Sequence, residues 1–218
     1  MKRWLSLGLI TFLLVVSLNA QNFWQEINTG LTELSVRGIV AGDSGYIFSA
    51  TAAGVFRSSN SGNTWSHMAN TGDITVQSMA FDPAGYLYAG TERGMYLSAD
   101  NGISWSSINT GFPDTLVLSI AITAGGDVFA GTDLAGLYKS TNHGTSWSRL
   151  TNGFFSDDVT ALVINSSGTI FAGTDGQGVF RSVDNGNSWR QLNYGLTDLL
   201  LRALAVNSSD SVFAGTNT

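Results

Sequence analysis

Short apolar runs recur along the chain from residue 36 onward, separated by clusters of Gly, Asn, Asp, Ser and Thr. No segment shows the 3.6-residue period of an amphipathic helix, so the pattern predicts short β-strands joined by turns. One repeat shows the order of the strands clearly. Its four runs cover residues 76–81, 86–91, 95–98 and 105–109, with a turn at 82–85.

The tryptophans give the length of the repeat. Five of the six are 40 to 42 residues apart, at Trp24, Trp65, Trp105, Trp147 and Trp189. The last four each close an octet, and the octets read SSNSGNTW at 58–65, SADNGISW at 98–105, STNHGTSW at 140–147 and SVDNGNSW at 182–189. Four strands in a unit of about 40 residues are typical of a β-propeller blade. The sequence therefore predicts an all-β propeller of four-stranded blades.

The octet resembles the Asp-box, also called the bacterial neuraminidase repeat (BNR), whose pattern is Ser-x-Asp-x-Gly-x-Thr-Trp. The resemblance extends over nearly all of the chain after residue 20 and implies an Asp-box propeller of the exported bacterial type. That family includes sialidases, xyloglucan-degrading hydrolases, sortilin-type receptors and photosystem II assembly factors. The resemblance thus implies a fold and leaves enzymatic and binding functions open.

The octet residues have roles that a hairpin requires. The third residue can accept hydrogen bonds from backbone N–H groups of its own turn, and the glycine can take the positive φ of that turn. The tryptophan ring is expected to be buried between blades. Two octets have Asn at the third position, which keeps the turn bond and removes the charge. We therefore predict a structural role for Ser58, Asn60, Gly62, Trp65, Ser98, Asp100, Gly102, Trp105, Ser140, Asn142, Gly144, Trp147, Ser182, Asp184, Gly186 and Trp189.

The first 20 residues have the layout of a secretory signal peptide. Lys2 and Arg3 precede an apolar run from Trp4 to Leu18, and cleavage is expected after Ala20. The run has 15 residues, fewer than the roughly 20 of a membrane-spanning helix. We expect a secreted or cell-envelope protein of a bacterium, at the cell surface or in the periplasm, without a membrane span in this segment.

Aligning the repeats on their tryptophans gives the expected boundaries. Residues 21–218 are predicted to form a partial propeller, with an outer strand at 22–29, blades at about 35–70, 75–110, 116–152 and 158–194, and a half blade at 200–218. This count lies near the low end of the roughly four to eight blades that close a ring. We expect an open arc that is part of a longer protein, with further blades beyond Thr218.

Charge and composition exclude several partners and chemistries. The formal net charge is −6 and no basic run is present, so binding to nucleic acid is not expected. The chain contains no Cys and two His, which argues against disulfides, a His-based metal cluster and a Ser-His-Asp relay. The Arg-Ile-Pro motif of sialidases is also absent. We expect no catalytic, metal or cofactor residue, with calcium as the one possible exception.

Two rows of acids are predicted on the face opposite the octets. One row lies between blades, at Glu33, Asp73, Asp114, Asp157 or Asp158, and Asp198. The other follows the recurring Thr of the second strand and includes Glu92, Asp133 and Asp175. Arg37 and Arg202 depart from the repeat at the second position of the first strand. The predicted ligand-binding candidates are Asp133, Asp175, Glu92, Arg37 and Arg202, although acids also serve turns without any ligand.

Three functions remain open at this point. The first is a non-enzymatic propeller that serves as a binding or assembly platform for protein or glycan at its acidic face. The second is a glycoside hydrolase, sialidase-like or xyloglucanase-like, with two carboxylate catalysts. The third is the sensory propeller of a signalling receptor.

Overall fold

The computed structural model describes residues 26–42, 45–68, 74–113 and 115–218, so the predicted signal peptide lies outside the described residues. The described residues form antiparallel β-sheets, which confirms the predicted all-β propeller class. In this part of the chain, no helix has the length and apolar character that a membrane crossing requires.

Four sheets have four strands each, in chain order, and a fifth has two. Blade 1 contains β1 (Val36–Ala41), β2 (Ile47–Thr51), β3 (Gly54–Ser58) and β4 (Ser66–His67), and blade 2 contains β5 (Val76–Phe81), β6 (Leu87–Thr91), β7 (Gly94–Ser98) and β8 (Ser106–Ser107). Blade 3 contains β9 (Val117–Ile122), β10 (Val128–Thr132), β11 (Leu137–Ser140) and β12 (Ser148–Arg149). Blade 4 contains β13 (Val159–Ile164), β14 (Ile170–Thr174), β15 (Gly178–Ser182) and β16 (Arg190–Gln191), and half blade 5 contains β17 (Leu201–Val206) and β18 (Val212–Thr216).

The outer strand of each blade is shorter than the sequence predicts. Strand β8 has two residues, whereas the apolar run suggested 105–109. Beyond the end of β8, the side chain of Asn109 forms hydrogen bonds with the backbone of residues 93 and 95. Its Oδ1 accepts a hydrogen bond from Met95 N at 2.8 Å, and its Nδ2 donates to Arg93 O at 3.0 Å. The amide thus satisfies backbone groups that a longer outer strand would otherwise pair.

The second strand is the most buried element of blades 2, 3 and 4. All five residues of β6, β10 and β14 are buried. In the first strand β9, by contrast, buried and half-buried residues alternate. The first strands are covered less completely because they also line the axis. There, residues from β1, β5, β9, β13 and β17 border an open pocket of about 460 Å³.

Consecutive blades pack face to face around this axis. The first strands contact one another in chain order, from β1 through β5, β9 and β13 to β17. One core cluster joins Phe129 and Leu137 of blade 3 to Phe180 and Trp189 of blade 4. The blades are therefore held together by apolar side chains from both sides of each gap.

The octets form tight hairpins between third and fourth strands. In all four, Oδ1 of the third residue accepts a hydrogen bond from the backbone N–H four residues later, at 2.8–3.0 Å. The octet glycines have φ between 80° and 87°. The indoles of Trp65, Trp147 and Trp189 are at most 8% exposed. Each octet thus satisfies its own turn. Three of the four tryptophans are buried as expected, whereas Trp105 is half-buried and packs against the core of blades 1 and 2.

Residues 26–29 extend the repeat on the side of blade 1. Trp65 Nε1 donates to Ile27 O at 2.8 Å and Trp65 N to Thr29 O at 2.8 Å. In blade 3, Trp147 Nε1 makes the equivalent contact to Ile108 O, at 2.7 Å. Residues 26–29 therefore lie at the position that the end of a preceding blade would occupy, although they do not form a strand. Residues 22–25 of the predicted outer strand lie outside the described residues.

Candidate functional site

The connections between strands lie on two faces of the propeller. Because neighbouring strands are antiparallel, the loops that join second to third strands lie at the same end as those that join consecutive blades. We call this end the loop face. The turns between first and second strands lie at the other end with the octets, which we call the octet face.

Three of the five predicted candidate residues meet on the loop face. Asp133 and Asp175 each follow a second strand, and Arg202 is the second residue of β17. All three line one pocket of about 300 Å³, which we call the acidic pocket. Its other lining residues are Leu118, Asp158 and Thr160. The pocket thus combines residues from blade 3, blade 4 and half blade 5.

Backbone contacts hold Asp133 and Asp158 beside each other. Asp133 N donates to Leu116 O at 2.9 Å, and Thr115 Oγ1 donates to Asp133 O at 2.7 Å. The loop between blades 3 and 4 supplies Asp158, whose Oδ1 accepts a hydrogen bond from Leu134 N at 2.7 Å. Leu134 has a φ of 66°, a conformation that is uncommon for a residue other than glycine. Two loops from consecutive blades are therefore tied together at this point.

The electrostatics of the acidic pocket differ from those of an ordinary turn. Burial raises the pKa of the Asp133 carboxyl, and a hydrogen bond to the Asp158 carboxyl and the charges of Asp158 and Asp175 raise it further. Three acids therefore concentrate negative charge at one place on the loop face.

One cation offsets part of this charge. Arg202 Nη1 lies 3.1 Å from Asp175 Oδ2, and both side chains are partly exposed to solvent. Thr160 Oγ1 donates to Leu201 O at 2.7 Å, which ties β13 to the start of β17 below the pocket. An ion pair in contact with water contributes little stability. The acidic pocket therefore still has more carboxylates than cations, with three aspartates and one arginine in its lining.

Arg37 and Glu92 do not join the acidic pocket. Arg37 Nη1 donates to Gln77 Oε1 of the next blade at 3.0 Å and borders the axial pocket instead. Glu92 is exposed in the connection between β6 and β7, and its N–H donates to Thr75 O at 3.2 Å. The structure thus separates the five predicted candidates into a group of three and two isolated residues.

The row of acids between blades has different local roles. Asp198 Oδ2 accepts hydrogen bonds from Asn217 N and Thr218 N, both at 3.1 Å. Asp73 and Asp114 lie outside the described residues. Asp158 is the member that reaches the acidic pocket, and the sequence offered it only as an alternative to Asp157. Leu118 and Thr160 are the second residues of their first strands, as Arg202 is of β17. The alignment of the repeats could therefore have identified them as pocket residues as well.

A calcium ion was the one metal that the sequence left open. In the part of the chain that the structure describes, no group of three or more His, Asp or Glu side chains is arranged to hold a metal ion. Calcium takes carboxylate oxygens as ligands, and its binding at the acidic pocket stays a prediction of the sequence.

Another pocket, of about 580 Å³, lies on the octet face. The turns 41–42, 81–85 and 122–124 border it together with Ala99 and Asn101. Asp82, the acid among its described lining residues, has a buried side chain whose Oδ1 accepts hydrogen bonds from Ala84 N and Tyr86 N, both at 2.9 Å. Its lining is therefore dominated by small residues and turn backbone, unlike the charged pocket of the loop face.

Solved structures with a similar fold belong to proteins of several kinds. The extracellular domain of BT4673 from B. thetaiotaomicron, a one component system, is 14% identical with a TM-score of 0.68, over 84% of this chain and 26% of that one. The GH74 xyloglucanase from Xanthomonas campestris is 18% identical with a TM-score of 0.69, over 82% and 35%. A structure of YCF48 bound to D1 peptide is 17% identical with a TM-score of 0.59, over 85% and 62%.

This chain spans less than two thirds of each of those proteins, and at such identities the likeness shows the fold alone. No curated protein matches the chain in sequence. A family model described as the DUF6242 beta propeller domain matches residues 7–127. Because the match extends over more than half of the sequence and the structure has the blades of a propeller, the chain belongs to the DUF6242 β-propeller domain family.

Proposed function

We propose that this propeller is a non-enzymatic binding platform, and that the acidic pocket binds a cationic side chain of a protein partner. The observation that carries the proposal is that Asp133, Asp158 and Asp175 line one pocket, where the neighbouring charges of Asp158 and Asp175 help to raise the pKa of the Asp133 carboxyl. Like charges that are held together destabilise a fold. A cationic ligand would relieve that repulsion.

Comparison with the octets argues against a purely structural role for Asp133. Asp100 and Asp184 accept hydrogen bonds from backbone and hydroxyl groups of their own hairpins, which lower the pKa of each carboxyl. The pKa of the Asp133 carboxyl is raised instead, first by burial and then by the neighbouring Asp158 and Asp175 carboxyls. An acid that was kept only for its turn would have the first arrangement.

The surroundings of the pocket suit a protein partner. Leu134, next to Asp133, is 76% exposed, and Phe155, three residues before Asp158, is 63% exposed. Exposed apolar side chains beside polar groups are typical of protein interaction sites. The structure of YCF48 with D1 peptide shows a propeller of similar fold with a bound peptide. A peptide with Lys or Arg next to an apolar residue therefore fits this surface best.

The geometry favours binding over glycoside hydrolysis. The two carboxylates of a glycosidase stand about 5 to 10 Å apart, so that a sugar or a water molecule fits between them. Here three acids and one arginine line the same pocket, and its other lining residues, Leu118 and Thr160, provide no aromatic platform for a sugar. We therefore interpret the similarity to the GH74 xyloglucanase as a similarity of fold alone.

Export and the identity of the octets are part of the same proposal. The octets have the spacing and hairpin bonds expected of Asp-boxes, and residues 1–20 have the layout of a signal peptide. The likeness to the extracellular domain of BT4673 supports a place outside the cytoplasm, and it also accommodates a sensory role in which the same pocket binds the signal.

Calorimetric titration with short peptides tests the proposal. An acetylated Gly-Lys-Leu-Gly peptide is expected to bind, and its norleucine analogue to bind at least tenfold more weakly. The triple variant D133N/D158N/D175N should lose binding to the same degree, whereas Asp210→Asn, which changes an acid on the octet face, should not. Equal binding by the triple variant, or no binding by the unmodified protein, would contradict the proposal. So would hydrolysis of xyloglucan that Asp133→Asn abolishes.

A further inference from the structure

Lys139, Asp127 and Asn185 meet at the contact between blades 3 and 4. Lys139 Nζ lies 2.9 Å from Asp127 Oδ2 and donates to the backbone O of Asn185 at 2.8 Å. Asn185 Nδ2 donates to the same Asp127 oxygen at 2.7 Å. The Lys139 and Asp127 side chains are 13% and 19% exposed. An amine, an amide and a carboxylate are thus held together at the edge of the core.

The repeat shows that this trio is unusual. At the equivalent contact between blades 1 and 2, Arg57 Nη1 donates to Asn101 O at 2.9 Å, and its guanidinium lies over the Tyr46 ring, 4.7 Å from the centroid. Binding the next octet therefore requires a cation and a carbonyl oxygen but no carboxylate. Blade 3 alone has both a lysine and an aspartate at these two positions among the repeats of the sequence.

We propose that Lys139 and Asn185 become joined by an intramolecular isopeptide bond, with Asp127 transferring the proton. A lysine amine is a nucleophile once it loses its proton, whereas a guanidinium keeps its proton in proteins. The proposal concerns the interface between blades and is independent of the acidic pocket.

The reaction balances without any other reactant. Asp127 takes a proton from the Lys139 ammonium, and the free amine attacks Cγ of the Asn185 side chain. A bond forms between Nζ and Cγ, and the bond between Cγ and Nδ2 breaks. Two protons of the original ammonium pass from Nζ through Asp127 to the leaving nitrogen, which departs as ammonium, and Nζ keeps the third as the N–H of the new amide. Asp127 already contacts both nitrogens, so it can act first as base and then as acid.

The environment explains both the reactivity and its slow rate. Lys139 Nζ lies over the Phe129 ring, 5.3 Å from the centroid, on the apolar side of the contact. Burial alone would raise the pKa of Asp127, but the hydrogen bonds from Lys139 and Asn185 and the Lys139 charge lower it overall. The ion pair is therefore the resting state, and the bond forms once, slowly, after folding has positioned the groups.

Mass spectrometry of the purified, denatured full chain tests the proposal. The mass should be lower by about 17 Da, one ammonia, than the mass calculated from the N terminus found in the same sample. Proteolysis should release one branched peptide that joins residues 139 and 185. The variants Lys139→Arg and Asp127→Ala should have the full calculated mass. Since the readout is a mass, it does not depend on the stability of the variants.

The contact between blades 1 and 2 provides a matched control. Arg57→Lys places an amine at the contact with Asn101, where Tyr46 occupies the position that Asp127 has in blade 3, and this variant should show the same single loss as the unmodified chain. A full mass for the unmodified protein would overturn the proposal. A loss that persists in Lys139→Arg would also overturn it, since that loss would come from ring closure at Asn185-Gly186.

Discussion

Gly131 lies directly opposite Ser119 in the antiparallel pair of β10 and β9. A methyl group at Gly131 would stand 2.4 Å from Ser119 Oγ and 2.7 Å from Cγ1 of Val159 in the next blade. Gly131→Ala is therefore expected to lower the free energy of unfolding by about 2–3 kcal/mol, because the packed core cannot accommodate the added carbon. Denaturation by urea measures the change.

The first blade provides the control for this prediction. There the glycine is on the other strand, as Gly38, and it faces Ala50. The double variant S119G/G131A copies that arrangement and should recover part of the lost stability. A double variant less stable than Gly131→Ala alone would show that the paired positions do not compensate each other.

Ser49 is a buried exception within the repeat. Its side chain is 1% exposed, and among the described residues none forms a hydrogen bond with its Oγ. The corresponding residues of blades 2, 3 and 4 are alanines. Because a buried hydroxyl without a partner costs about 1–3 kcal/mol, Ser49→Ala should raise the unfolding free energy by about 1 kcal/mol.

The same substitution at Ser119 should have the opposite sign. Ser119 Oγ donates to Val159 O at 3.1 Å, so Ser119→Ala removes a bond between blades. Thermal unfolding of the two variants is the measurement. Destabilisation by Ser49→Ala would indicate a partner for its hydroxyl outside the described residues.

The repeat made most of the fold predictable from sequence. Tryptophan spacing and turn residues gave the strand order and the octet hairpins, since each unit repeats the same local chemistry. The lengths of the outer strands were not predictable, because the end of β8 depends on the side chain of Asn109 replacing backbone partners. The extent to which first strands are covered depends on the width of the axis, which no single repeat encodes.

Asp133→Asn should separate stability from binding. The folded-state pKa of Asp133 is raised, so its contribution to stability is present at low pH and is lost as the pH rises through that pKa. At neutral pH the substitution removes repulsion from Asp158 and Asp175. We expect a gain of less than about 1 kcal/mol, reduced by solvent screening, together with weaker binding of the lysine peptide.

The control for that prediction is Asp175→Asn. This change breaks the ion pair with Arg202 and should lower stability slightly while it also weakens binding. Chemical denaturation at pH 7 and the peptide titration measure both quantities. If Asp133→Asn lowered stability and left binding intact, the acid would have a structural role.

The octet carboxylates give a separate test by pH. Hydrogen bonds from Ser188, first from its side chain and then from its backbone, lower the pKa of Asp184 to about 2. A carboxyl whose pKa is lowered by folding stabilises the protein at pH values above its unfolded-state pKa. This contribution is lost as the pH falls through the folded-state pKa. Carbon-13 NMR of the carboxyl should show the low pKa, and Ser188→Ala should raise it.

A matched substitution in another octet should not change the pKa of Asp184. Ser146 occupies the same place beside Asn142, whose amide does not titrate. Ser146→Ala is therefore expected not to alter the pKa of Asp184. A pKa of Asp184 near its usual value in the unmodified protein would show that the hairpin bonds are weaker in solution than the structure indicates.

The candidate site was only partly predictable. The repeat register correctly placed Asp133 and Asp175 on one face and marked Arg202 as a departure from the pattern. It could not show that Arg37 and Glu92 point elsewhere, because the same positions lie next to different neighbours in each blade. Nor could it show that Asp158 turns toward Asp133, which depends on the contact between its Oδ1 and Leu134 N.

We propose the loop face, and not the larger pocket of the octet face, as the binding surface. Backbone amide chemical shifts, recorded during titration with the Gly-Lys-Leu-Gly peptide, distinguish the two faces. Shifts are expected at Asp133, Leu134, Asp158 and Asp175, with little change in the turns 82–85 and 122–124. Shifts concentrated in those two turns, or none on the loop face at saturating peptide, would contradict the proposal.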